Sequence, residues 1–249
     1  MFIEINLRKL QKILFNAYRL NYNNCNSDQE KKYMRSKLKH AYDCLNILRK
    51  SFPKEYKDYS SAILLHDIGR FYEHRYSEKF RHEEFGFEVL SQITNNAIIL
   101  LPIRYHENDY NWKEMLEKDE LYKFLDYEKK QQVINCCEIL RDIDIISNMK
   151  SLIKKKNDKE VRNVNVQLID KLDMGCLGNK GDINSKYDEI VYILCGLSII
   201  SHSESWKYII KNGIVKKLIK RLFEFEQKNF KTQKYAERVR LIIKLKYGI

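Results

Sequence analysis

The sequence predicts an all-α protein, and three observations carry that prediction. Only 8 Gly and 2 Pro occur in 249 residues, so few positions break a helix. Turn pairs such as Asn-Gly between alternating strands are nearly absent, which argues against β-hairpins. Long stretches between Pro53 and Pro102 and beyond place apolar residues at helical spacing. Apolar content of 44% with 32% charged residues is that of a globular chain long enough to bury a large core. A single domain over 1–249 is expected, with a helical extension over 187–249 packed on the rest.

The segment MFIEINLRKLQKIL reads as a charged amphipathic helix, not a secretion signal. A polar break at Asn23–Gln29 offers Ser27 or Asp28 as the N-cap of a second helix that runs through Lys50 and ends before Pro53. Its main apolar stripe is Leu38, Ala41, Tyr42, Leu45 and Leu48. His40 lies off that stripe, on a flank shared with Tyr33, Cys44 and Ile47. The next helix, near Asp58–Ile68, ends in the apolar run AILL followed by His66 and Asp67. Gly69 is the expected left-handed C′ residue, which puts both polar residues in the last turn. A polar loop over Glu73–Lys79 leads to His82 at the start of a helix burying Phe85, Val89, Leu90 and Ile93. Gly86, one turn after His82, permits close approach to that face. In Ala97–Tyr105, Pro102 is expected to kink the helix or restart it, and His106 closes the segment. The string VINCCEILRDIDIIS is a further helix.

Residues 154–189 are rich in Lys, Asn, Asp and Gly and read as a flexible loop. GCLGNKG lacks both the Gly-Lys-Ser/Thr of a phosphate-binding loop and the GxGxxG of a dinucleotide fold. The run IVYILCGLSII is too short to span a bilayer and reads as a buried helix. A basic amphipathic helix with Val239, Ile242, Ile243 and Leu245 ends the chain. No membrane contact is expected, and a cytoplasmic location follows.

Net charge of +12 favours an anionic partner, either a phosphorylated small molecule or nucleotide, or a nucleic acid. Lys is mixed with Glu and Asp along the whole chain instead of forming one tract, which is how solvated helix faces look. The six cysteines, 25, 44, 136, 137, 176 and 195, show no CxxC and suit buried positions in a reducing compartment.

The chemistry-bearing residues follow one order: His40, then His66-Asp67, then His82, His106 and an Asp of LRDIDIIS, Asp142 or Asp144. Imidazoles and carboxylates are the donors that divalent metals need. His40, His66, Asp67 and that Asp give one metal a mixed shell with positions open to water. If Asp67 bridges to a second metal, His82 and His106 complete its shell. Two metals about 3.5–4 Å apart activate water and polarise a phosphoryl oxygen for in-line displacement. His74 reads as a loop residue and His202 as the start of a helix.

The strings LKHAYDCLNIL, AILLHDIGRF, RHEEFGFEVL, the His106 segment and ILRDIDIIS together resemble the HD-domain metal-dependent phosphohydrolase superfamily, in its HDIGRF-type branch. The resemblance covers residues 33–150 and implies a helical bundle whose core holds the metals. It assigns the core metal ligands to His40, His66, Asp67 and Asp144, with Asp144 preferred over Asp142. It matches His82 and His106 to the added histidines of two-metal members. Arg70 falls where relatives place a basic residue near the phosphate, and Arg141 where the branch keeps an Arg. Asp67 and Arg70 are the implied catalytic residues, and Arg70 and Arg141 the implied substrate contacts. One or two divalent ions, Mn, Mg, Ni, Co, Fe or Zn, would be the cofactors. The branch's Ala-Asp-Lys-Leu-Asp is here Ile143-Asp144-Ile145-Ile146-Ser147, losing a Lys and an Asp.

Three functions follow from these residues. The first is hydrolysis of a phosphomonoester or phosphodiester, most naturally in a nucleotide. The second is a di-iron oxygenase, because the same ligand order serves a small HD-fold group that cleaves C–C or C–P bonds. The third is a nucleotide-binding or regulatory module with weak turnover. Substrate, native metal and oligomeric state are not encoded in any motif.

Overall fold

A computed structural model of the chain describes residues 7–72, 81–107, 111–154, 164–228 and 233–249. The described residues hold thirteen α-helices and no strand, so the protein is all-α. The chain falls into two compact units, Met1–Ile143 and Asp144–Ile249.

In the first unit α1 (Leu7–Asn23), α2 (Asp28–Ser51), α3 (Tyr56–Leu65), α4 (His82–Ser91) and α5 (Ala97–Tyr105) pack around a common core. α3 is its centre, meeting α1, α2 and α5. Ile63, Leu64 and Leu65 on it are fully buried, so a continuous apolar run is what this position demands. α2 starts where Ser27 accepts a hydrogen bond from the Glu30 amide at 3.2 Å, while the Glu30 carboxylate accepts one from the Asn26 amide at 2.7 Å. That pairing is close to the capping box of a Ser-x-x-Glu start, with Glu30 reaching the amide one residue before the cap. The flank of α2 carrying Cys44 and Ile47 is as deeply buried as its stripe, whereas Tyr42 is exposed.

α6 (Trp112–Lys118), α7 (Glu120–Lys123) and the first part of α8 (Tyr127–Lys154) complete this unit. Trp112, Leu116, Tyr122, Val133 and Cys137 form a second cluster with Ala97, Leu101 and Tyr105. Asn135 donates to the Tyr59 hydroxyl at 3.1 Å, tying α8 to α3.

Three expectations need correction here. Gly69 is not a left-handed cap: α3 stops at Leu65, and Ile68–Phe71 forms a 3-10 turn. Positive φ among the described residues occurs only at Gly175, Gly213 and Gly248. Gly69 is required for contact instead, since a Cβ there would lie 2.0 Å from the His82 carbonyl oxygen. Pro102 neither ends nor restarts its helix; it lies inside a continuous α5. The carbonyl of Ile98, which the missing Pro102 amide would have engaged, accepts the Cys136 thiol at 3.7 Å. The buried face of α4 is His82, Glu83, Gly86 and Leu90, and Ile93 lies past the helix end and is exposed. Glu73–Lys79 and His74 lie outside the described residues.

The second unit contains the rest of α8, α9 (Val166–Met174), α10 (Lys186–Cys195), α11 (Ser203–Lys211), α12 (Ile214–Lys228) and α13 (Gln233–Tyr247). α10 packs against α9 and α12, and α13 against α9 and α12. α9 interrupts the stretch expected to be a loop. Leu168, Ile169 and Leu172 form its buried stripe, Asn165 caps its start, and Gly175 ends it with φ 73°. The apolar run after Ile190 is split: α10 ends at Cys195 and Gly196–Ile199 is a 3-10 turn. On α13, Val239, Ile242 and Ile243 are buried, whereas Leu245 is exposed. His202 caps α11. No described helix is long and apolar enough to cross a membrane.

Candidate metal centre

Two helix ends present histidines in the same way. His66 is the residue that follows α3, and His106 the residue that follows α5. His66 Nδ1 donates to the Ile63 carbonyl at 2.8 Å, and His106 Nδ1 to the Ile103 carbonyl at 2.7 Å. The last carbonyls of a helix lack intrahelical partners, so each ring satisfies one of its own helix's orphans. This fixes the tautomer: Nδ1 carries the proton and Nε2 carries the lone pair. His82 reaches the same state through a carboxylate, with Nδ1 3.1 Å from Glu83 Oε2. Glu83 in turn accepts from Arg81 Nε at 2.7 Å.

The Nε2 atoms then meet in pairs. His40 and His66 approach with Nε2–Nε2 3.3 Å, and His82 and His106 with Nε2–Nε2 3.3 Å. Asp67 stands between the pairs. Its Oδ2 is 3.9 Å from Nε2 of both His40 and His66. Its Oδ1 is 3.4 Å from His82 Nε2 and 3.8 Å from His106 Nε2. His66, Asp67, His82 and His106 are all buried.

Burial would raise the Asp67 pKa, but the surrounding positive charge, that of Lys37 foremost, outweighs it. It holds the carboxyl well below its usual range, so Asp67 is an anion. Desolvation pushes the His82 pKa down against the pull of Asp67, which keeps that imidazole neutral. Lys37 Nζ lies 3.1 Å from Asp67 Oδ2 and Arg70 Nε 3.4 Å from Asp67 Oδ1, both partly exposed. Arg70 also donates to Glu107 Oε1 at 2.8 Å, and that oxygen is 3.3 Å from His82 Nε2. Arg141 is buried; its Nη1 donates to the Glu107 carbonyl at 2.5 Å, with its guanidinium over the Trp112 ring.

This donor set fits divalent metal. Two ligands about 2.1 Å from one ion, at angles between octahedral and tetrahedral, sit about 3.0–3.4 Å apart, which matches both Nε2–Nε2 separations. Neutral rings with Nδ1 protonated would otherwise aim lone pair at lone pair. The ligand atoms of His66, Asp67 and His106 lie within 4.8 Å of one another, as do those of His82, His106 and Glu107. His40, Cys44 and His66 form a third such set.

Of the residues expected from the sequence, His40, His66, Asp67, His82 and His106 converge, with Arg70 against Asp67. Asp142 is buried on α8. Asp144, two residues on and the first residue of the second unit, accepts from Asn148 at 3.0 Å. Lys37, Glu83 and Glu107 were not singled out. Each had a local signal: Lys37 stands one helical turn before His40, and the two glutamates directly follow His82 and His106.

An all-α fold enclosing paired histidines around a buried aspartate offers groups that could hold a metal ion. The family model for the HD domain matches residues 38–149. The matched residues run from two before His40 to beyond Asp144, so all six expected ligands fall inside it. No curated protein and no solved structure matches the chain.

Proposed function

We propose that the protein is a metal-dependent phosphohydrolase of the HDIGRF-type branch, acting on a phosphomonoester or phosphodiester, with a nucleotide as the favoured substrate class. The observation that supports this reading is the division of labour at Asp67, whose two oxygens face two separate histidine pairs. In it, His40 and His66 would hold one divalent ion and His82 and His106 a second, with Asp67 standing between the two pairs. The metals supply an activated water and Lewis-acid polarisation of a phosphoryl oxygen. Asp67 stays anionic and orients the reacting face. Arg70, at the partly exposed edge, pairs with phosphoryl oxygens and offsets their charge. Arg141 acts from behind, holding the main chain at Glu107 and so the position of His106. The net charge of +12 suits a phosphorylated substrate, and the six free cysteines suit a cytoplasmic setting.

The test is phosphate release from a panel of nucleoside phosphates and cyclic dinucleotides by protein reconstituted with Mn, Mg, Ni, Co, Fe or Zn. Release that needs metal and disappears in Asp67→Ala is the expected outcome. Undiminished release by Asp67→Ala would reject the reading, and oxygen consumption by the iron-loaded protein would replace it with oxygenase chemistry.

A further inference from the structure

The two histidine pairs have different neighbours. Beside His82 and His106 stands the carboxylate of Glu107, an oxygen donor. Beside His40 and His66 stands Cys44, whose sulfur lies 3.6 Å from His40 Nε2. Cys44 is one helical turn after His40 on α2 and fully buried, so it projects along the same side of the helix into the centre. A sulfur about 2.3 Å and a nitrogen about 2.1 Å from one tetrahedral ion sit about 3.6 Å apart. The separations His40–His66 and His40–Cys44 therefore both suit one ion at the centre of the three donors.

We propose that Cys44 is a thiolate ligand of the His40–His66 half-site, making that half-site soft and the His82–His106–Glu107 half-site hard. The inference rests on the metal-centre reading above and deepens it. On coordination the Cys44 thiol gives its proton to solvent and its sulfur lone pair to the ion, with no change of oxidation state. A thiolate added to two imidazoles shifts preference towards zinc, cobalt or iron over magnesium, while imidazoles with carboxylates alone accept manganese or magnesium. The centre would thus hold two unlike metals when both kinds are supplied.

The test is cobalt titration of metal-stripped protein, followed by absorbance, with sulfur scattering at the zinc edge of zinc-loaded wild type as a second, variant-free measurement. Visible d–d bands report that cobalt is bound, and a near-ultraviolet band reports thiolate-to-cobalt charge transfer. Wild type is expected to show both, with one sulfur about 2.3 Å from zinc. Cys44→Ser is expected to keep the d–d bands and lose the charge-transfer band, and Cys176→Ser to keep both. Bound cobalt with no charge-transfer band and no sulfur at zinc would overturn the inference, leaving Cys44 as a thiol donor to His40 and the metal-centre reading intact. A charge-transfer band that survives in Cys44→Ser would also overturn it, assigning the sulfur to another cysteine. Wild type that takes up no cobalt or zinc would defeat both the inference and the reading beneath it.

Discussion

The two compact units bury polar groups for different ends. In the second unit Asp188, Glu226 and Arg221 each close on a main-chain partner. The Asp188 carboxylate accepts from the Asn165 amide at 2.8 Å and the Asn184 amide at 3.1 Å, fastening α9 to the start of α10. Glu226 accepts from the Ala236 amide at 2.5 Å and the Tyr187 hydroxyl at 3.3 Å, and Arg221 donates to the Leu152 carbonyl. In the first unit His66 and His106 each satisfy the main chain with one ring nitrogen and turn the other inward towards a second histidine. Buried polar groups cost stability unless paired. An arrangement that brings ring nitrogens together around a carboxylate is one that a bound cation would satisfy.

Breaking the first unit's pattern should have the largest effect. His66→Ala or His106→Ala is expected to lose one metal equivalent, measured by elemental analysis. Turnover should fall by at least about a thousandfold, the scale of the several kcal/mol a metal contributes to charge stabilisation. If either variant keeps both equivalents, the paired half-sites are wrong. Glu83→Gln leaves every inward nitrogen in place but weakens the hold on His82 Nδ1. It should lower affinity for the ion at His82 about 10–100-fold, read by competition with a chelating dye.

The second unit sharpens the contrast from the other side. Asp188→Ala leaves the Asn165 and Asn184 amides without their acceptor, and denaturant titration should show a loss of about 1–3 kcal/mol. Metal content should not change; a loss of metal in this variant would mean the two kinds of buried polar group are not distinct. The smallest effect belongs to Cys176→Ser. Its side chain is exposed, and a change within about 0.5 kcal/mol is expected with metal and turnover unaltered.

What the sequence made legible follows the same division. The Ser27 cap and the apolar run before His66 are local patterns, and the structure carries both of them. The role of Gly69 was not legible, because its neighbour is the His82 carbonyl, thirteen residues away and across a turn. α9 was hidden by the Lys, Asn and Gly around it, although Asn165 before and Gly175 after its stripe are start and stop signals. Tyr42, Ile93 and Leu245 fit apolar spacing yet are exposed, since periodicity cannot tell where a neighbouring element stops covering a stripe. Lys37, Cys44 and Glu107 are one turn or one residue from expected ligands. Only the meeting of α2, α3, α4 and α5 reveals which atoms they face.

The most direct measurement of the central claim is metal content per chain after reconstitution and removal of excess ion, in wild type and Asp67→Ala. Two equivalents in wild type, falling to one or none when the aspartate between the pairs is removed, is the predicted result. No retained metal in wild type, or two equivalents held equally well without Asp67, would contradict it.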